Sequence, residues 1–398
     1  MKKDAVMVRV GELWLKSEPV KRQFIKTLVT NLKSAMEAAN VPCKTEVFRG
    51  RIILHGDADR IADVAAKVFG IVDVAKCIIC ENTPESIAEA AVSLAKEKLH
   101  AGMRFAVRAR RQFVEGFTSQ QLAAYVADRI WDVIPDFVVD LTHPEYEIFV
   151  EAREFGGFVY DEQIPAQGGL PLGTAGRCAV LLSAGIDSPV AAWLMMRRGV
   201  SLTGVFADSG RFAGTATKDL VKDNARILSY WCPGRAFPLW IINVEPFLLQ
   251  MQEHCDRHYT CLFCKRFMIR IAERISAQNR LEGVVTGENL GQVASQTLQN
   301  MGVITASSTI PLLRPLLTYD KEEIVAIARR IGTFHESPGD TSCRAVPIKP
   351  ATCSPLSFIC EEEDKLAMDS LIDEAIEHAE LWVAKNGTIV QKEITRKT

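Results

Sequence analysis

The chain has 398 residues, 48% hydrophobic and 24% charged, ordinary globular composition with material for two or three domains. No apolar run reaches the roughly 18–20 residues that span a bilayer, and the N-terminus lacks a signal-peptide core, so a cytoplasmic protein without a membrane partner is expected. The net charge of −2 hides an asymmetry: residues 1–33 carry eight Lys/Arg against three acids, and residues 361–380 carry nine acids against one Lys.

Residues 5–10 alternate as a strand, and residues 19–40 have helical spacing with Phe24, Leu28, Leu32 and Met36 on one face. A short strand at 51–54 and a helix from Asp59 to Phe69 complete a β-α-β-α pattern, which suggests a small α+β sandwich of about 75 residues. A second unit follows. Thr83 opens a helix to about Leu99, Phe105–Arg111 reads as a strand, Ser119–Trp131 as a helix and Tyr146–Glu151 as a strand. In the first of these strands Arg108 and Arg110 share a face opposite Val107 and Ala109, which suits phosphate contact.

The stretch 163–177 is rich in Gly and Pro and reads as a linker. After it, Cys178–Leu182 is a continuous apolar run, as expected of a buried parallel strand. A helix over Pro189–Arg198 and strand-like segments at 201–207, 237–243 and 283–286, with helices between, predict a doubly wound α/β domain. The next helix, at 320–331, has Asp320 to cap it, Glu323 at the capping-box offset and Gly332 to end it. Residues 364–385 read as a last amphipathic helix, and the acidic run there as a solvated face.

Between the buried strand and its helix lies Ser183-Ala-Gly-Ile-Asp-Ser188, followed by Pro189 at the expected first helical position. Such a turn leaves backbone N–H groups outward at a helix N-terminus, a phosphate cradle. Gly185 permits close backbone approach and the two serines supply hydroxyls. The Lys of a Walker A loop and the spacing of a dinucleotide fingerprint are both missing.

This turn resembles the SGGxDS PP-loop of ATP pyrophosphatases, with Ala184 where a glycine is usual. Gly11-Glu-Leu-Trp-Leu-Lys16, Gly168–Thr174, Ser183–Ala191 and Thr286–Thr297 together resemble the tRNA 4-thiouridine synthetase (ThiI) family over almost the whole chain. The resemblance implies an N-terminal ferredoxin-like domain (1–75), a THUMP RNA-binding domain (76–165) and a PP-loop ATP-pyrophosphatase domain with a parallel sheet (166–398). It implies adenylation of uridine 8 of tRNA and replacement of O4 by sulfur, with a frequent link to thiamine thiazole formation. The ATP contacts it implies are Leu181, Leu182, Ser183, Gly185, Asp187, Ser188, Phe206, Ala207, Lys265, Gly287 and Gln296. Asp187 would also hold Mg²⁺, and Lys16, Arg108, Arg110 and Arg111 would meet the RNA.

Eleven cysteines without an export signal are expected to be reduced. Cys261-Leu-Phe-Cys264 precedes a helical stripe of Phe267, Met268, Ile271 and Ile275, where a helix N-terminus would lower the thiol pKa. Cys343 lies in a polar stretch that resembles the family's catalytic-cysteine segment, beside Arg344 that would favour a thiolate. Two chemistries stay open: a persulfide or resolving thiol on Cys343, or an iron–sulfur cluster on Cys261, Cys264 and Cys343, as in archaeal-type members without a rhodanese domain; three-cysteine zinc is a further alternative. Cys77 and Cys80 also form a CxxC, but a strand would turn them to opposite faces. The sulfur donor is sulfide or a cysteine desulfurase persulfide, and a homodimer stays open. The competing functions are another PP-loop tRNA modifier, of 2-thiouridine or lysidine type, and a non-catalytic RNA-binding protein.

Overall fold

The computed structural model describes residues 3–11 and 16–394; Glu12–Leu15 of the N-terminal motif lie outside them. The chain divides after Pro171 into two compact units. Among the described residues no helix is long and apolar enough to cross a membrane.

The first unit runs β1 (Ala5–Val10), α1 (Glu18–Ala38), β2 (Cys43–Phe48), β3 (Arg51–Gly56), α2 (Ala58–Ala65), β4 (Ile71–Cys80), α3 (Pro84–Ala95), β5 (Arg104–Gln112), α4 (Ser119–Trp131), β6 (Val138–Val139), β7 (Tyr146–Arg153), β8 (Gly156–Tyr160) and β9 (Ile164–Pro165). Its sheet has the order β2-β3-β1-β4-β8-β7-β5-β6, with β9 added on β4. The ten-residue β4 joins the two halves, pairing β1 through Cys77 and β8 from Ile78 onward. Cys77 and Cys80 fall in different apolar clusters, as strand alternation requires. Glu151 is fully buried between Arg51 on β3, 3.0 Å away, and Arg153 on its own strand, so one carboxylate ties the early strands to the later ones.

The second unit runs β10 (Arg177–Leu181), α5 (Asp187–Arg197), β11 (Ser201–Asp208), α6 (Thr217–Tyr230), β12 (Phe237–Asn243), α7 (Glu245–His254), α8 (Thr260–Asn279), β13 (Val284–Val285), α9 (Leu298–Thr305), β14 (Leu312–Leu313), α10 (Lys321–Ile331), α11 (Leu356–Glu363), α12 (Met368–Glu377), β15 (Glu380–Lys385) and β16 (Thr388–Lys392). The sheet order is β14-β13-β10-β11-β12-β15-β16. The first five strands are parallel. The chain therefore grows outward from β10 in one direction and returns to its other side with β13. A crevice at the carboxyl ends of β10 and β13 is the expected ligand position in such a sheet.

Two sequence expectations fail at the C-terminal end. The helix expected over 364–385 ends at Glu377, and Glu380–Lys385 is a strand antiparallel to β12. Leu381-Trp382-Val383 favours strand, and Asn386-Gly387, both at positive φ, make the tight turn into β16. The acidic run is not all solvated: Glu363 is buried against Arg266 at 2.7 Å and Arg270 at 2.8 Å. By contrast α10 has both halves of the capping box on Asp320 and Glu323, and Gly332 ends it in the left-handed conformation.

Candidate nucleotide and sulfur site

The β10–α5 turn is closed on itself. The Ser183 N–H donates to the Ser188 hydroxyl at 2.8 Å, and the two serine hydroxyls lie 2.9 Å apart. Helix α5 starts at Asp187, so Pro189 is its third residue rather than its first. Proline is tolerated there because the N–H groups of the first turn have no intrahelical partner. Neither Ala184 nor Gly185 has positive φ, which explains why alanine stands in the turn without strain. A Cβ on Gly185 would meet nothing nearer than the Ser183 hydroxyl at 3.6 Å. Gly287 is the position that requires glycine: a Cβ there would meet the Ser188 nitrogen at 2.8 Å and its Cα at 2.9 Å. The segment after β13 therefore packs directly on the start of α5.

A cleft of about 250 Å³ opens at this point. It is lined by Leu181, Leu182, Ser183, Asp187 and Ser188, by Val205, Phe206 and Ala207 at the end of β11, by Lys265, Met268 and Ile269 of α8, and by Thr286, Gly287, Glu288 and Gln296. Of the candidate ATP contacts, Gly185 alone is not among the lining residues. Gln296 is almost wholly buried, and its buried side-chain oxygen has no hydrogen-bond partner.

Charge in the cleft is held by pairs that the sequence did not reveal. Lys265 donates to Glu288 at 2.9 Å, and Arg314 holds the other Glu288 oxygen at 2.7 Å. Burial alone would raise the Glu288 carboxyl; Lys265 and Arg314 outweigh it and hold the group below the usual carboxylate range. The Asp187 carboxylate, expected to meet a metal, accepts from Lys321 at 2.8 and 3.1 Å. Lys321 opens α10, 134 positions away along the chain, and no local pattern announces it.

The two α8 cysteines differ from the expected thiolates. Cys261 and Cys264 lie inside the first two turns of α8 rather than ahead of it. Burial pushes Cys264 up to about 12, with Cys343 and Cys261 adding to the shift; burial and then Cys343 also raise Cys261. The helix terminus does not lower them because desolvation is the larger effect. Cys343 thus lies within electrostatic reach of both α8 thiols. Cys343 is exposed on a loop pinned to the segment before α6, where Gly214 donates to the Ser342 carbonyl at 2.8 Å and Arg344 to the Phe212 carbonyl at 2.8 Å. The Arg344 guanidinium pairs with Asp340 at 2.9 Å, so it is not committed to the Cys343 sulfur. Three thiols are the right donors in kind for an iron–sulfur cluster. Among the described residues, however, no three His, Cys, Asp or Glu are grouped to hold a metal ion.

In the first unit the candidate RNA residues separate. Arg108 donates to Glu147 at 2.7 Å and to the Leu141 carbonyl at 2.7 Å, and Arg111 donates to the Val114 carbonyl. Arg110 and Lys16 are exposed, Lys16 lying 5.9 Å from the Phe24 ring centre. Sequence reading missed Phe113, which is 57% exposed at positive φ with the Arg49 guanidinium 4.7 Å over its ring.

Three family models match the chain: "ThiI ferredoxin-like domain" at residues 5–75, "THUMP domain" at 81–160 and "Thiamine biosynthesis protein (ThiI)" at 173–368. A probable tRNA sulfurtransferase of Methanosarcina mazei is 38% identical over 95% of both chains, and one of Methanosarcina acetivorans is 39% identical over 94% of this chain and 92% of its own. The fold is similar to the crystal structure of a 4-thiouridine synthetase–RNA complex with bound ATP, with TM-score 0.86 and 30% identity over 96% of this chain and all of that one. A Pyrococcus horikoshii protein, at 24% identity and TM-score 0.65 over 83% of this chain and 99% of its own, shares the fold. With matches of this extent in all three parts, the chain belongs to the ThiI family.

Proposed function

We infer that this chain is an ATP-dependent tRNA sulfurtransferase, and that uridine 8 of tRNA is its target, leaving as 4-thiouridine. The observation that carries the reading is the cleft at the reversal point of the second sheet, which draws residues from β10, β11, α8 and the segment after β13 around one phosphate-shaped turn.

In this reading the triphosphate lies on the Ser183–Ser188 turn. The uridine O4 attacks the α-phosphorus, the bond to pyrophosphate breaks, and O4 carries AMP. Backbone donors of the turn, the α5 N-terminus and Lys265 offset the charge that develops on the departing pyrophosphate. Asp187 would hold Mg²⁺, which when bound supplies further charge neutralisation; Lys321 must then leave the carboxylate and becomes a second cation for the phosphates. If the sulfur arrives as sulfide, it attacks C4 directly and AMP leaves with O4. If it arrives as a persulfide on Cys343, its outer sulfur attacks C4 and AMP leaves with O4. A second thiol, Cys261 or Cys264, then attacks the Cys343 sulfur, freeing the thiouridine and leaving a disulfide that an external thiol must reduce. The donor is sulfide or a cysteine desulfurase persulfide. No chemical step requires a homodimer.

Cys261, Cys264 and Cys343 form the proposed sulfur centre and the donor set for an iron–sulfur cluster, which when bound supplies an iron site for sulfide. Iron and acid-labile sulfide in anaerobically purified protein, compared with Cys261→Ala, test it; iron absent from both ends the cluster. Arg110, Lys16, Phe113 and Arg49 are the proposed RNA contacts of the first unit, with Arg108 and Arg111 supporting the strand that carries Arg110.

The test of the whole reading is tRNA-dependent pyrophosphate release with nucleoside mass analysis. Asp187→Ala is expected to abolish both pyrophosphate and 4-thiouridine. A different modified nucleoside would favour another PP-loop modifier, and no turnover by the unaltered chain would favour a non-catalytic RNA-binding protein.

A further inference from the structure

We propose that Asn224 and His335 are positioning residues for the ATP step, a two-residue relay that sets the orientation of the phosphate turn from behind. The proposal rests on the reading of the Ser183–Ser188 turn as the triphosphate site.

Asn224 lies on α6 and is fully buried. Its side-chain nitrogen donates to the Ser183 carbonyl at 3.0 Å. Its side-chain oxygen faces the His335 Nε2 at 3.2 Å. With the amide nitrogen committed to Ser183, the oxygen can only accept, so His335 must donate from Nε2. Asp223 stands 4.0 Å from the same ring nitrogen, and its own charge is engaged by Arg226 at 2.6 Å.

What this relay controls follows from peptide geometry. The carbonyl of Ser183 and the N–H of Ala184 belong to one planar trans peptide and point in opposite directions. Holding the carbonyl against α6 therefore turns the Ala184 N–H away from α6, onto the outer side of the turn. The internal Ser183–Ser188 bonds close the loop but leave this plane with only a long contact, the Ser188 hydroxyl to the Ser183 carbonyl at 3.5 Å. Asn224 is the strong partner, and His335 keeps its amide the right way round. A buried asparagine whose two ends each have one partner loses both functions if it flips. The relay also reaches the sulfur side. His335 lies eight positions before Cys343, whose loop is hydrogen-bonded to the residues just ahead of the same helix, Ala216 donating to the Asp340 carbonyl at 3.1 Å.

The test uses the full chain with ATP and tRNA. His335→Ala is expected to raise the KM for ATP about tenfold, the usual consequence of leaving one buried hydrogen-bonding group unpaired, while the KM for tRNA stays within about twofold. His335→Gln, which presents an N–H at nearly the position of Nε2, recovers most of that loss. Asn224→Asp preserves shape but removes the donor to Ser183, and is expected to raise the ATP KM further. Adding His335→Ala to Asn224→Asp is expected to cause little additional change, because the two residues act in series. The proposal is overturned if His335→Ala leaves the ATP KM unaltered, if His335→Gln is as poor as His335→Ala, or if the two losses simply multiply. Equal rises in both KM values with a lowered melting temperature would also overturn it, as damage to the fold rather than to the turn. Failure of the unaltered chain to turn over ATP would instead strike the functional reading beneath it.

Discussion

Glu151 in the first unit and Glu288 in the second are built alike. Each is a buried carboxylate between two cations, Arg51 and Arg153 for one, Lys265 and Arg314 for the other. In both, burial works to raise the carboxyl and the cations hold it low. They differ in what the cations face. The partners of Glu151 join strands of one sheet, whereas Lys265 lines the nucleotide cleft. Similar electrostatics therefore serve architecture in one place and, in the proposed reading, substrate handling in the other, and surroundings rather than pKa distinguish them.

The strongest way to break this comparison is to neutralise each carboxylate. Glu151→Gln and Glu288→Gln should each cost about 3 kcal/mol of stability, because each leaves a buried cation short of its partner. Only Glu288→Gln should also change ATP kinetics, through a Lys265 no longer held in place. Thermal unfolding and the KM for ATP, measured on both variants, separate the two roles; an ATP effect from Glu151→Gln would erase the distinction. The pH dependence has the same sign for both. A carboxyl held below its unfolded value contributes stability above about pH 4.3 and loses it as pH falls through the folded value. Acid unfolding should accordingly be steeper in the unaltered chain than in either glutamine variant.

A smaller effect sharpens the contrast within the cleft. Gly287→Ala places a methyl against the backbone of Ser188, which cannot yield without moving the start of α5. Turnover should fall on the order of 10²-fold, the loss typical when one preorganised backbone donor is displaced. Gly185→Ala has room for its methyl and should leave the melting temperature within about 1 °C, since no core contact changes. Any loss of ATP affinity in that variant then reports how closely the ligand approaches the turn. If Gly287→Ala is as active as the unaltered chain, the packing of the two segments does not set the site.

Much of this was legible in the sequence, for physical reasons that differ by element. The strand–turn–helix at Ser183 and the caps of α10 are local: a few neighbouring residues determine them. Leu181, Phe206 and Gly287 are distant in sequence, yet they sit at or near the ends of β10, β11 and β13, and sheet topology brings strand ends together. Lys265 on α8 and Gln296 have no such local sign and are implied by the family resemblance alone. Lys321 on Asp187 and Arg314 on Glu288 are side-chain encounters between separate loops and helices, for which no spacing exists. The hairpin of β15 and β16 had a readable sign in Asn386-Gly387, hidden by the acidic residues before it. The thiols of α8 were misjudged because a helix terminus is visible in sequence and burial is not.

The finest distinction lies along β5, where alternation put Arg108 and Arg110 on one face but could not tell that their partners differ. Arg108 is committed to Glu147 and the Leu141 carbonyl, while Arg110 is exposed. A cation already paired has little charge to offer a phosphate, and freeing it costs the pair. Arg110→Ala is therefore expected to weaken tRNA binding a few-fold and to reduce the salt slope of the binding constant by about one, the signature of one lost phosphate contact. Arg108→Ala should leave that slope nearly unaltered and lower the stability of the first unit instead. Binding titrations across a range of salt concentrations decide it: if Arg108→Ala removes the same slope, the pair with Glu147 opens on the RNA and both arginines face phosphate together.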